Sequence, residues 1–423
     1  MSESSEFRAP SPARISLFVG KGGVGKSTLA CATAVSAAGA GRRVLVVSTD
    51  QAHSLGDVLG VPVPAGGPGE LVRVLADDVE AGGGFLDALA LDTLALLEHR
   101  WQGVVGALDR QLPDSELSTV APQELSALPG VQELLGLHAV GELAASGRWD
   151  RIVVDCASTA DALRMLTLPA TVGFYVERAW PRHRRLSGVT DDARSAPLVE
   201  LLERISASVE ELSVLLTDAN LVGAHLVLTP ERVVAAEAVR TLGSLALMGV
   251  RVEELIVNQV LTEDESYEYH NLPDHPAFDW YAERIAEQRA VLDELEATIG
   301  DVALVLTAHL SGEPIGPKAL GALFDGARRR GGGPPPGPLR PIVDLESGSG
   351  LGSIYRLRLA LPQLDPGTLM LGRVDDDLIV SVGGLRRRVR LASVLRRCTV
   401  LDANLRGSEL TVRFRPDPEV WPK

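Results

Sequence analysis

A chain of 423 residues is long enough for one large α/β domain and something smaller, and 45% hydrophobic with 23% charged residues is ordinary globular composition. The net charge of −15 is uneven: residues 351–423 hold 13 Lys and Arg against 8 Asp and Glu, a local +5 that leaves about −20 for the rest. An acidic body disfavours nonspecific nucleic-acid binding, so no nucleic-acid partner is expected. Cys31, Cys156 and Cys398 form no C-x-x-C pair, which argues against a disulfide framework or a local zinc site and fits a reducing cytoplasm. The opening MSESSEFRAPSPAR, read as a disordered N-terminus over 1–14, lacks the apolar core of a signal peptide. No apolar run reaches the length of a membrane span, so any membrane role works through a partner.

ISLFVG is the first of six short apolar runs that read as buried strands; RVLVVSTD, RIVVDCAS, AHLVLTP, ELIVNQV and VALVLTAH follow. Helix-like segments separate them. The alternation predicts an α/β fold, a mostly parallel sheet covered by helices on both faces, with ligands at the carboxyl ends of the strands.

The first strand leads into GKGGVGKST, Gly20 to Thr28, which fits the phosphate-loop pattern of glycine, four residues, glycine, lysine and a hydroxyl residue. Glycines here let backbone N–H groups converge on phosphate oxygens at a helix N-terminus. Gly20, Lys21, Gly22, Gly23, Val24, Gly25, Lys26, Ser27 and Thr28 are therefore assigned to the phosphates of a nucleotide, which the resemblance given below makes ATP. Lys26 neutralises the β and γ phosphates and the Ser27 hydroxyl ligates Mg²⁺. KSTLACATAVSAAGAG then reads as a helix ended by glycine.

Asp50 closes the second strand, where an acid orients or deprotonates an attacking water, or caps a turn. Asp155 closes the third, the place for an acid that holds Mg²⁺ or its water, with a cap as the alternative. His53 and His138 lack Cys or His companions at metal spacing, so no transition metal is assigned. Cys156 reads as a small buried residue rather than a nucleophile.

Two intervals, about 84–149 and 178–220, are helical in pattern and are expected either to form a helical layer above the nucleotide edge or to serve as ordinary covering helices. The first includes FLDALALDTLALLEHRWQGVVGAL. A Gly/Pro-rich stretch, RRRGGGPPPGPLRP, marks a linker over 328–350 after a large α/β domain of residues 15–327. Period-two alternation in YRLRLALPQL, DLIVSVGG, RRRVRLA and ELTVRFRP then predicts a small antiparallel β-sandwich over 351–416, followed by a tail, 417–423.

With two lysines, GKGGVGKST resembles the deviant phosphate loop of the ArsA arsenical-pump ATPases, the tail-anchored-protein targeting ATPases and the MinD and ParA positioning ATPases. STDQAHSLGDVLG and VVDCASTADALRMLTLP are similar to switch I and switch II of the ArsA and targeting branch, and LSTVAPQELSALPGVQELLGL, ELIVNQVL and LSGEPIGPKALGAL extend the likeness. The resemblance implies a nucleotide-gated homodimer in which Lys21 crosses to the partner's phosphates and Asp50 activates water. It also implies Ser27, Asp50 and Asp155 at the Mg²⁺ site, Asn258 at the adenine, and a loop from Leu310 to Leu320, including Glu313 and Pro314, over base and ribose. Gln51, Cys156, Ser158, Ala160 and Asp161 depart from the usual switch residues, which leaves binding intact and puts the coupling of hydrolysis to movement in question. The arsenite cysteines and the zinc clasp are absent, and four methionines do not make a Met-lined groove.

Residues 351–416 resemble the small heat-shock-protein (α-crystallin-like) domain appended to some ArsA-type ATPases. Its arginines, Arg386 to Arg388 and Arg390, either dock an acidic partner or form a solvated face. The resulting expectation is a Mg²⁺-dependent ATPase acting on a protein client or membrane partner. The alternative is a hydrolysis-poor, nucleotide-gated chaperone or binding module using the β domain. A membrane-positioning role like that of MinD is disfavoured by the lack of a terminal basic amphipathic helix.

Overall fold

The structure, a computed structural model, describes residues 12–50, 54–78, 83–100, 130–179, 181, 196–261, 275–333, 341–361, 366–382 and 385–421. Outside them lie most of the expected disordered N-terminus, Gln51 and His53 of switch I, WQGVVGAL, most of LSTVAPQELSALPG, part of the 178–220 insertion and the Gly/Pro-rich centre of the linker. The chain divides into two compact units: residues 1–227 with 310–327, and residues 228–309 with 328–423.

In chain order the first elements are β1 (Arg14–Gly20), α1 (Lys26–Gly39), β2 (Arg43–Ser48), α2 (Ser54–Leu59), β3 (Ala65–Gly66), β4 (Val72–Asp78) and β5 (Gly84–Leu91). Then come α3 (Val131–Ala145), β6 (Arg151–Asp155), α4 (Thr159–Ala179), α5 (Ala196–Thr217) and β7 (Val222–Leu228). In the first unit the strands run β7-β1-β6-β2-β5-β3, all parallel, with β4 antiparallel on β5. Val44 to Val47 are fully buried, as befits a parallel strand covered on both faces. The outer helices α3, α4 and α5 pack on one another.

One expectation is corrected here. The interval 84–149 does not begin as a helix: Gly84–Leu91 is a buried strand paired along its length with β2. Its Leu/Ala composition carries no β-branched signal, so only pairing with Arg43–Ser48 decides its state. The N-terminal boundary also moves, since Arg14 already pairs with Arg151 in β1.

The chain continues through α6 (Arg232–Met248), β8 (Val252–Val260), α7 (Pro276–Ile299), β9 (Ala303–Ala308), α8 (Pro317–Asp325) and β10 (Arg328–Arg330). In the second unit β8 and β9 are parallel and β10 lies antiparallel on β9. Arg329 pairs with Glu254 at 2.7 Å and Arg330 with Glu296 at 3.2 Å. The arginines assigned by composition to the linker therefore belong to a sheet edge.

The last elements are β11 (Ile342–Ser347), β12 (Ile354–Ala360), β13 (Met370–Val374), β14 (Asp377–Val382), β15 (Leu385–Arg390), α9 (Ser393–Arg396), β16 (Cys398–Arg406) and β17 (Glu409–Pro416). They form two antiparallel sheets, β11-β12-β17-β16 and β13-β14-β15, around a core that includes Leu357, Leu359, Val380, Val412 and Phe414. Leu247 of α6 joins that core. The β region thus begins at Ile342, before the expected boundary, and the tail is tied down where Trp421 lies 6.0 Å from Tyr355.

Candidate active site

The phosphate loop follows from where β1 must run. A Cβ at Gly20 would meet the Val227 carbonyl oxygen of β7 at 2.2 Å, so only glycine lets the chain leave the strand there. Gly25 opens α1 with φ 89°, and no side chain caps that helix. Its first N–H groups are left for an anion, reinforced by the helix dipole. Lys26 is buried and its Nζ donates to the Lys21 carbonyl at 3.1 Å, which folds the loop back on the lysine, while the Lys21 side chain stands exposed.

On the facing side, β6 delivers Asp155 level with Ser48 of β2 and Phe18 of β1. The Ser27 hydroxyl donates to Asp155 Oδ2 at 2.6 Å, and the Ser48 hydroxyl reaches the same oxygen at 3.5 Å. Ser48 Oγ also accepts the Asp50 N–H at 3.2 Å. The Thr49 N–H and hydroxyl donate to the Asp155 carbonyl at 3.0 and 3.3 Å, pinning the end of β2 to β6. Burial pushes the Asp155 carboxyl up from 3.8 to about 6; the Ser27 hydrogen bond and the Lys26 charge pull the other way, and the Asp50 charge adds to the rise.

Asp155 is 1% exposed, and its Oδ1 is buried with no hydrogen-bond partner among the described residues. A buried carboxylate oxygen left over, a hydroxyl beside it and a second carboxylate within electrostatic reach form a hard oxygen donor set, which fits Mg²⁺. The structure thus brings Lys26, Ser27, Asp50 and Asp155 together. Sequence reading passed over Ser48 and Ser54. Ser54, at the start of α2, lies 3.1 Å from Ser27, oxygen to oxygen. It stood inside STDQAHSLGD with no role assigned.

The switch II departures make local sense. Ser158 Oγ donates to Asp161 Oδ2 at 2.6 Å and accepts the Asp161 N–H at 3.2 Å, a cap that fixes the start of α4. Cys156 is buried, and burial pushes its thiol up to about 12, which suits a packing residue.

Asn258 belongs to the second unit, 7% exposed, where its Oδ1 accepts the Thr307 hydroxyl at 2.9 Å. The next residue, Gln259, has φ 60° at a register break between β8 and β9. A non-glycine residue held there is a strained position of the kind that collects at ligand sites. Glu313 and Pro314 lie in the first unit, in a loop tied to α2 by the Gly316 N–H donating to the Val58 carbonyl at 2.9 Å.

A family model described as anion-transporting ATPase (ArsA) matches residues 13–325. The chain belongs to that family. A second model, an HSP20-like domain found in ArsA, matches residues 352–414 of this ArsA-family chain. Mycobacterium tuberculosis protein Rv2184c is 81% identical, over 99% of this chain and all of that protein. An uncharacterized Streptomyces coelicolor protein is 36% identical over 97% of this chain and 99% of its own length. The arsenical pump-driving ATPase of Escherichia coli is 29% identical over 59% of this ArsA-family chain and 40% of its own length. Among the described residues no helix is long and apolar enough to cross a membrane.

Proposed function

We propose that the chain binds ATP and hydrolyses it to ADP and phosphate with Mg²⁺, as a homodimer whose closure acts on a protein client or membrane partner. The observation that carries this is the Ser27–Asp155 pair, with its leftover buried carboxylate oxygen beside Lys26 and Asp50. Bound Mg²⁺ supplies charge neutralisation at the β and γ phosphates. Ser27 and Asp155 hold it, and the N–H groups at the start of α1 take the phosphate oxygens. Lys26, held by the Lys21 carbonyl, would offset the charge that builds on the β and γ phosphates as ADP departs. Asp50, at the carboxyl end of β2, orients the attacking water and takes its proton. The exposed Lys21 supports a role across a dimer interface.

Phosphate release by the purified protein tests the reading. Asp50→Asn is expected to lower turnover about 100-fold or more while ATP still binds, and Lys21→Ala to do the same only through the closed dimer. Equal release by wild type and Asp50→Asn removes the enzyme. One observation favours a slower, gated binding module: the Ser158–Asp161 cap anchors the segment that would move in switch II. ATP-dependent client capture with background hydrolysis marks that outcome.

A further inference from the structure

The Ser27 oxygen has four directions to fill. One is its bond to Cβ, and a second is its hydrogen, which goes to Asp155 Oδ2, since an ionised carboxylate can accept but not donate. The contact with Ser54 at 3.1 Å must then run the other way, with the Ser54 O–H donating to one lone pair of Ser27. A single lone pair is left, and its direction is set by the other three. A serine hydroxyl otherwise rotates to suit its surroundings, so without Ser54 the same oxygen is held by one hydrogen bond and swings about it.

We propose that Ser54 is a positioning residue that aims the Ser27 lone pair at Mg²⁺ and thereby ties metal occupancy to α2. The proposal rests on the ATP reading above. It uses the short helix as a link: α2 runs six residues from Ser54 to Leu59, and its Val58 carbonyl accepts the Gly316 N–H of the 310–316 loop at 2.9 Å. At Gly60, just past the helix, a Cβ would stand 3.5 Å from the Ile315 side chain, and Gly316 itself has φ 83°, so the loop lies against the end of α2. The metal ligand at one end of α2 and the loop at the other are thus joined by two hydrogen bonds and one helical turn and a half. Groups that orient a metal ligand are worth about 10- to 100-fold in metal affinity, and a neutral hydroxyl donor belongs at the lower end of that range.

The test reads binding, not turnover. The Mg²⁺ concentration that half-saturates the complex of full-length protein with a fluorescent ADP analogue is compared for wild type, Ser54→Ala and Ser54→Thr. Ser54→Ala is expected to need about 10-fold more Mg²⁺, with its Mg²⁺-free nucleotide affinity unchanged, and Ser54→Thr, which keeps the hydroxyl, to follow wild type. Amide exchange at Gly316 is expected to slow on adding Mg²⁺ to the nucleotide complex of wild type and to respond less in Ser54→Ala. A purely structural serine would lower the melting temperature without moving the Mg²⁺ requirement. If wild type shows no Mg²⁺-dependent nucleotide binding, the ATP reading falls and the proposal with it. If wild type shows it and Ser54→Ala has the same Mg²⁺ requirement, the proposal alone is overturned.

Discussion

Replacing Asp155 with asparagine separates what this carboxylate costs the fold from what it does for a ligand. The side chain is 1% exposed, and burial holds its pKa at about 6 against 3.8 for an ordinary aspartate. An acid with a raised folded-state pKa binds its proton more tightly when folded. Its favourable contribution is fully present below 3.8 and is lost as pH rises through about 6. A shift of roughly two units corresponds to about 3 kcal/mol of destabilisation above that range. Asparagine keeps an oxygen to accept the Ser27 hydroxyl, but the weaker neutral bond takes back about 1 kcal/mol. Ligand-free Asp155→Asn is therefore expected to be about 1–3 kcal/mol more stable than wild type near neutral pH. In thermal unfolding that appears as a rise of roughly 2–4 °C per kcal/mol for a unit of this size. The advantage shrinks as pH falls through about 6 and vanishes below 3.8. Adding ATP and Mg²⁺ reverses the order, because wild type gains binding energy that the variant lacks. A ligand-free variant less stable than wild type near neutral pH, or one that keeps the full shift with ATP and Mg²⁺, refutes the reasoning.

Two further outcomes are expected. Gly20→Ala forces a methyl against the Val227 carbonyl oxygen and should destabilise the protein by about 3 kcal/mol, whereas Gly22→Ala, with nothing within 4 Å of the added Cβ, should leave the melting temperature of the ligand-free protein near that of wild type. Thermal melts of the two variants side by side check this. Cys31, Cys156 and Cys398 are all buried, and burial pushes the Cys31 thiol well above its ordinary value and Cys156 to about 12. A thiol reagent near neutral pH should thus leave the native protein unmodified and label three cysteines in denaturant, as mass spectrometry would show; rapid labelling of native Cys156 would contradict its packing role.

Much of the candidate site is legible in the residue order, because its parts are local. A strand, a glycine loop and a helix N-terminus follow one another within Arg14–Gly39, so the phosphate cradle is a property of one continuous segment. The strand leading to Asp50 and the one ending in Asp155 are legible for a related reason: parallel strands covered on both faces are runs of Val, Ile and Leu, and their carboxyl ends are where ligands sit. The antiparallel β region shows itself through period two in β12, β14, β15 and β17, whereas β16 carried no such signal.

Other features have no local cause. Gly84–Leu91 became a strand because β2 offered it a partner, and Arg328–Arg330 became a sheet edge because β9, Glu254 and Glu296 were beside it. Ser48 and Ser54 gained roles only through oxygens brought near from 107 and 27 residues away, at Asp155 and Ser27. Residue order alone determined which groups the candidate site has to offer a ligand, since each group's chemistry travels with its side chain. Tertiary structure decided which hydroxyl meets which side chain and how far the Asp155 pKa rises, since hydrogen-bond geometry and burial exist only between segments that folding has brought together.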